Sequence, residues 1–229
     1  MSSTITDAAF YRLLTWLSPA YPLGAFSFSH GIEYAVEARL VGDGATLAAY
    51  AATTLEDGAG FVDAALLAAA WRAARDPDRL DMLGGIAAAW RGTAEFALES
   101  ETQGRAFLAT TRAAWPHPEL EALAGRWAGR APALPVALGV ACALHQIALP
   151  LAVSGFLHAF AANLVSAGVR LIPLGQTDGQ RIVAALAPAV GRAGERALGT
   201  PLDAVTTCAP LIDRCSMRHE TQYTRLFRS

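Results

Sequence analysis

Lysine is absent from this chain, and all 18 of its basic residues are arginine. That absence excludes a phosphate-loop lysine, a Schiff-base lysine and a Ser–Lys catalytic pair. Cysteine is scarce. Cys142, Cys208 and Cys215 are too few and too scattered for a disulfide framework, and they suit a reducing cytoplasm. A strong charge of either sign is also missing, and a net charge of −2 gives no electrostatic case for nucleic acid. Neither a GxGxxG run nor a Walker pattern is present, and Gly175 and Gly179 follow no strand. Met1 to Asp7 has no basic region leading into an apolar one, so no secretory signal is expected.

The largest absence is local. Ala131 to Val169, 39 residues, contains no Asp, Glu, Lys or Arg in a chain that is 17% charged. Phe156, Phe160 and Leu164 recur every fourth residue, and Val153 and Leu157 extend the helical set. Helices apolar on nearly all sides belong inside a large helical core or a bilayer. His145, Gln146, Pro150, Ser154, His158 and Asn163 interrupt the run, and neither an aromatic belt nor a cluster of positive charge flanks it, which favours a core. A small membrane or metal-transport protein is the alternative.

The rest of the chain reads as cover for one or two buried helices. Phe10, Leu13, Leu14 and Leu17 give a first helix from Asp7, whose charge suits its N-terminus. Asp43, Asp76-Pro77 and Thr93 introduce further helices, and Thr177 or Asp178 is expected to cap another. Pro188 should kink or split that one, and Pro201 to Arg218 reads as the last helix. With no alternating strand pattern, the expected fold is all-α, a single domain over residues 1–229 of about eight to ten helices, with 221–229 a C-terminal tail.

Reactive groups are sparse. Cys215 and His219 are four apart and would share a helix face, and with Cys208 they could bind nickel or zinc. The same cysteines fit an apolar stripe, so core packing carries more weight. His145 and His158 are core histidines or, less readily, ligands. Glu99, Glu101 and Gln103 could suggest acid–base chemistry, but a solvated face or a partner contact is the plainer reading. Ser27, Ser29 and Ser154 are possible nucleophiles, yet Ser154 lacks the GxSxG context of a hydrolase elbow. No independent enzyme is expected.

The most unusual run is Ser18 to Ser29, SPAYPLGAFSFS, with two prolines, a glycine and three aromatics. It is either an ordered loop plugging the core or a rigid binding surface on a helical scaffold. In the wider context Trp16 to Glu33, WLSPAYPLGAFSFSHGIE, it closely resembles the N-terminal signature of the UreF family of urease accessory proteins. Glu99 to Arg105, the Pro-Leu-Gly-Gln turn at 173–176 and the C-terminal Arg225-Leu-Phe-Arg-Ser229 resemble further elements of that family. The resemblance implies a non-catalytic homodimer that assembles in the cytoplasm with the accessory protein UreD (also called UreH), the GTPase UreG and apo-urease. Nickel would be handled by the complex, with no cofactor held stably by this chain and no part for a membrane. The residues expected to serve partner binding are Tyr21, Phe26, His30, Glu33, Gln103, Gln176, Tyr223, Arg225, Leu226, Phe227 and Arg228. The tail is expected to order on contact with the UreD-type partner. Packing back on its own domain is the alternative.

Overall fold

The computed structural model describes residues 7–229. Met1 to Thr6 and the Asp7 side chain lie outside the described residues, and with them the expectations about a signal and an Asp7 charge. The described residues form twelve α-helices and two short 3-10 turns, with no strand. In order, α1 is Asp7–Trp16, α2 Ile32–Glu37, α3 Gly44–Glu56, α4 Ala59–Arg72, α5 Pro77–Ala89 and α6 Ala94–Ala114. Then come α7 Pro118–Arg126, α8 Leu134–Leu144, α9 Leu149–Leu171, α10 Gln176–Ala185, α11 Ala187–Gly199 and α12 Pro210–His219.

Local chemistry sets most of these boundaries. Asp43 accepts from the Thr46 amide at 2.8 Å while Thr46 Oγ1 faces the Asp43 amide, closing a reciprocal cap on α3. Asp76 accepts from the Arg79 amide at 3.0 Å, and Pro77 sits at the first helical position of α5. Thr93 accepts from the Phe96 amide at 3.1 Å to start α6. Each such cap contributes about 1 kcal/mol. Two sequence expectations need correction. Gly175, not Thr177 or Asp178, precedes α10, and Asp178 instead accepts the Gly175 amide at 3.2 Å. The last helix starts at Pro210 rather than Pro201. Pro210 disfavours helix at Ala209, which sits at φ −129° and ψ 57°, and the Asp57 carbonyl holds the preceding segment through the Cys208 amide at 2.9 Å.

The uncharged stretch resolves into α8 and α9, separated by a turn in which Gln146 adopts φ +60°. Helix α8 is buried along its length except at Leu134 and Ala143, and it packs against α4 and α6. Helix α4 is also largely apolar, with every residue from Gly60 to Ala68 buried, including Asp63 in its pair with Arg91. The two backbones meet at Gly139, where an added Cβ would run into the Leu67 carbonyl oxygen and approach Ala70 Cβ to 3.1 Å. Trp71 fastens α4 to the α8–α9 turn by donating to the Ile147 carbonyl at 2.9 Å.

Helix α9 is long and apolar enough to cross a bilayer, yet one face packs on α2, α3, α4, α10 and α11 of the same domain. Only 39% of its most apolar window is buried, so its other face is half open. Pro188 falls in the first turn of a separate α11 directly after α10, as suits a residue lacking an amide N–H, and this split accounts for one helix beyond the expected eight to ten or so.

Gly139→Ala should lower unfolding free energy by about 1–3 kcal/mol, because the central pair has no room for a methyl group. Gly84→Ala, where an added Cβ meets nothing within 4 Å, should instead raise it by about 0.4–1 kcal/mol. Urea unfolding of both variants checks the pair, and a neutral Gly139→Ala would disprove the close approach.

Candidate functional site

Ser18 to Gly31 is an ordered loop with a rigid course. Gly24 takes φ +72° before the 3-10 turn Ala25–Ser27, and His30 and Gly31 take φ +54° and +80° in succession. Position 31 admits only glycine in this packing, since a Cβ there would meet Tyr50 Oη at 2.9 Å and the Ser216 amide nitrogen at 3.1 Å. Tyr50, buried, donates to the His30 carbonyl at 3.0 Å, and burial pushes its phenol pKa well up. Tyr21 is buried against Phe107 and Trp115, with its hydroxyl 2.8 Å from Thr111 Oγ1. Burial raises its pKa, with the Thr111 contact opposing.

The C-terminal tail lies on this loop. The Arg228 amide donates to the Ser27 carbonyl at 2.8 Å, and the Ser29 amide donates to the Ser229 carbonyl at 2.7 Å. The expectation of a tail that orders only on partner contact is therefore corrected: it packs back on its own domain. The cause is a set of buried acceptors. Glu33 accepts from the Leu226 amide at 2.6 Å and the Phe227 amide at 2.9 Å. Glu95 accepts from Arg225 at 2.5 Å, and Glu99 accepts from Ser229 Oγ at 3.1 Å.

His219 joins these carboxylates. It is fully buried, with Nε2 2.9 Å from Glu33 and Nδ1 2.8 Å from Glu95. An imidazole donates at both nitrogens only as the cation, and in that form His219 and Arg225 balance Glu33 and Glu95. Beside this cluster, His30 Nδ1 lies 3.3 Å from Glu99, and Gln103 donates to the other Glu99 oxygen at 3.3 Å. His30 stacks on Phe96 with ring centroids 4.0 Å apart.

A cavity of about 370 Å³ opens between the Trp16–Phe26 loop, α6 and the half-open face of α9. Its walls are largely apolar, with Glu99, Gln103, His158 and Asn163 as polar points. Of the residues expected to bind partners, Tyr21, His30, Glu33, Gln103 and Phe227 are buried. Phe26 and Leu226 are 67% and 66% exposed, and Tyr223 stands wholly in solvent. Arg225 and Arg228 flank them, Arg228 lying over the Phe28 ring at 5.6 Å. Gln176 is exposed at the start of α10, on a different element from the loop and tail.

Glu99 and Gln103 are thus not a solvated face: both are buried, and they meet the cavity only as polar points in its wall. Cys215 is buried in the core, Cys208 is exposed, and both His219 nitrogens are engaged. Among the described residues no group of three or more His, Cys, Asp and Glu is placed to hold a metal. Ser29 Oγ donates to the Ser229 carbonyl and accepts from the Glu33 amide, which leaves it no nucleophilic role. Sequence reasoning missed Glu95 altogether. Its spacing from Glu99 and Gln103, one residue every fourth, marked a single polar ridge on α6.

His219→Leu should cost about 3–5 kcal/mol of stability, because it leaves buried Glu33 with no charged partner and Glu95 with Arg225 alone. Removing Arg225 to Ser229 strips Glu33 and Glu95 of donors, so the truncated chain should also melt lower. Thermal unfolding followed by circular dichroism checks both, and an unchanged midpoint in the truncated chain would show that the tail is not part of the fold.

Comparison with known proteins fits this arrangement. A family model described as UreF matches residues 41–187. A urease accessory protein UreF of Granulibacter bethesdensis is 55% identical over 230 residues, covering 100% of this chain and 97% of its own length. One of Rhodopseudomonas palustris strain BisB18 is 52% identical, covering 99% and 95%, and one of Bradyrhizobium sp. strain ORS 278 is 48% identical, covering 97% and 92%. With a signature loop, a locked tail and full-length likeness to these proteins, the chain belongs to the UreF family of urease accessory proteins.

Proposed function

We propose that this chain is a non-catalytic scaffold of urease maturation. It assembles in the cytoplasm as a homodimer with a UreD-type (UreH) accessory protein and the UreG GTPase, and the complex delivers nickel, its cargo, to apo-urease. The observation that carries the reading is the mutual locking of signature loop and tail. Seven hydrogen bonds, from Ser29, Leu226, Phe227, Arg228, Ser229 and Arg225, fix the two segments to each other and to α2 and α6. This pre-organisation holds Phe26, Tyr223 and Leu226 outward beside arginines, the composition of binding hot spots, and lowers the entropy cost of docking. The half-open face of α9, where Ser154, His158 and Ser166 are exposed among the half-buried Leu151, Ala159 and Ala162, gives a homodimer surface to cover. GTP hydrolysis is assigned to the partner, and this chain tunes it only by contact.

Phe26→Ala and Leu226→Ala should each weaken copurification with the UreD-type partner by at least roughly tenfold, about 1.4 kcal/mol, while leaving the melting midpoint nearly unchanged. The test combines all four components, assays urease activation with each omitted in turn, and repeats the assay with the two variants. Full activation without this chain, or wild-type pull-down by both variants, would reject the reading. Light scattering at micromolar concentration checks the dimer, and a monomer alone would count against that part.

A further inference from the structure

Among the described residues, seven buried side-chain polar atoms have no hydrogen-bond partner, and three of them, Trp16 Nε1, His117 Nδ1 and His145 Nε2, lie on neighbouring rings. The His117 and His145 centroids are 5.4 Å apart at 66°, and the Trp16 and His145 rings meet at 5.2 Å and 83°. Leaving buried polar atoms without partners is costly, so their grouping asks for an occupant.

The geometry points to a two-histidine site for a borderline divalent cation, of the Ni²⁺, Co²⁺ or Zn²⁺ class, between His117 and His145. An ion about 2.0–2.1 Å from two ring nitrogens at a tetrahedral angle would set the imidazole centroids roughly 5.3 Å apart, given about 1.2 Å from centroid to nitrogen. The separation here is 5.4 Å. On His145 it is Nε2 that has no partner, so that nitrogen is the one open to a ligand. His117 is held between Pro116 and Pro118 in extended backbone at φ −142°, and His145 ends α8, so both rings hang from stiff positions. Water completes the shell, and the Trp16 N–H is available to an oxygen ligand.

The surrounding charge makes the site weak and exchangeable. Arg12 stands close enough to act on His145, and the neighbouring acids are already committed, Glu119 to Arg75 and Glu121 to Arg112. An exchangeable cation is what imidazole nitrogens without a carboxylate or thiolate would hold. This inference rests on the ring geometry and not on the assembly role proposed above.

The test uses untagged, full-length protein stripped with a chelator. Co²⁺ is the optical probe, and Zn²⁺ is added to the wild type while the imidazole resonances of its five histidines are followed by NMR. One Co²⁺ per chain should bind, and Zn²⁺ should shift the His117 and His145 resonances and spare His219. His117→Ala and His145→Ala should each weaken binding by at least the roughly 10–100-fold that loss of an outer-shell partner alone costs, while His158→Ala retains it. If His145→Ala disturbs the Trp16 packing, His117→Ala at the α6–α7 turn and the wild-type NMR shifts decide alone. Absence of saturable binding in the wild type, which would mean that only water fills the gap, overturns the site. So does wild-type affinity in His117→Ala.

Discussion

One imidazole holds the loop-and-tail end of this molecule together. His219 lies between Glu33 on α2 and Glu95 on α6, with no exposed surface of its own. The three residues come from widely separated parts of the chain, so the contact fixes α2, α6 and α12 relative to one another. Burying two carboxylates is unfavourable unless counter-charge and donors arrive with them. Here they come from His219, Arg225 and the amides of Leu226 and Phe227. The tail is therefore a structural complement to the cluster. Without it, Glu33 would keep one donor where it now has three.

The apolar centre makes this polar arrangement possible. Helices α4 and α8 are uncharged or nearly so where they meet, and close contact through Gly139 leaves no space for a polar group between them. On α4 the one buried charge, Asp63, is paired with Arg91 at 2.6 Å, and α6 carries its polar ridge toward the loop and tail. The dense core supplies a rigid backing, and the cluster sets the position of a segment that would otherwise fray. Phe227 shows the two effects combined: its ring is buried under the Arg170 guanidinium at 4.4 Å, while its amide is fixed by Glu33.

Much of the fold was legible because helical periodicity survives in sequence. The uncharged run, the caps at Asp43, Asp76 and Thr93, and the break near Pro188 all act over a few residues, so their physics is local. The cluster was not legible for the opposite reason. Glu33, Glu95 and His219 are adjacent only after the chain has folded, and each alone reads as an exposed helix residue. Cys215 and His219 share a helix face as their spacing required, yet the partners there are a core and two carboxylates instead of a metal. Pro201 to Ala209 misled because Val205 and Cys208 mimic a stripe, whereas Pro210 prevents the helix from extending back over them.

The tail's own pattern explains how one segment can lock and still present contacts. Extended chain turns successive side chains to opposite faces. Leu226 and Arg228 point to solvent, while Phe227 and Ser229 are buried. A helix of the same residues would have spread these roles over several faces and lost the backbone amides that Glu33 receives. Four residues are too few for an alternation to be recognised in sequence, and it has meaning only against a fixed partner surface. That surface is the loop at 27–29, whose course depends on consecutive left-handed angles at His30 and Gly31. The signature glycine at 31 and the buried phenylalanine at 227 thus serve one purpose. They bring loop and tail close enough that Phe26 and Leu226, one from each end of the chain, are held in place as exposed anchors of a single locked unit.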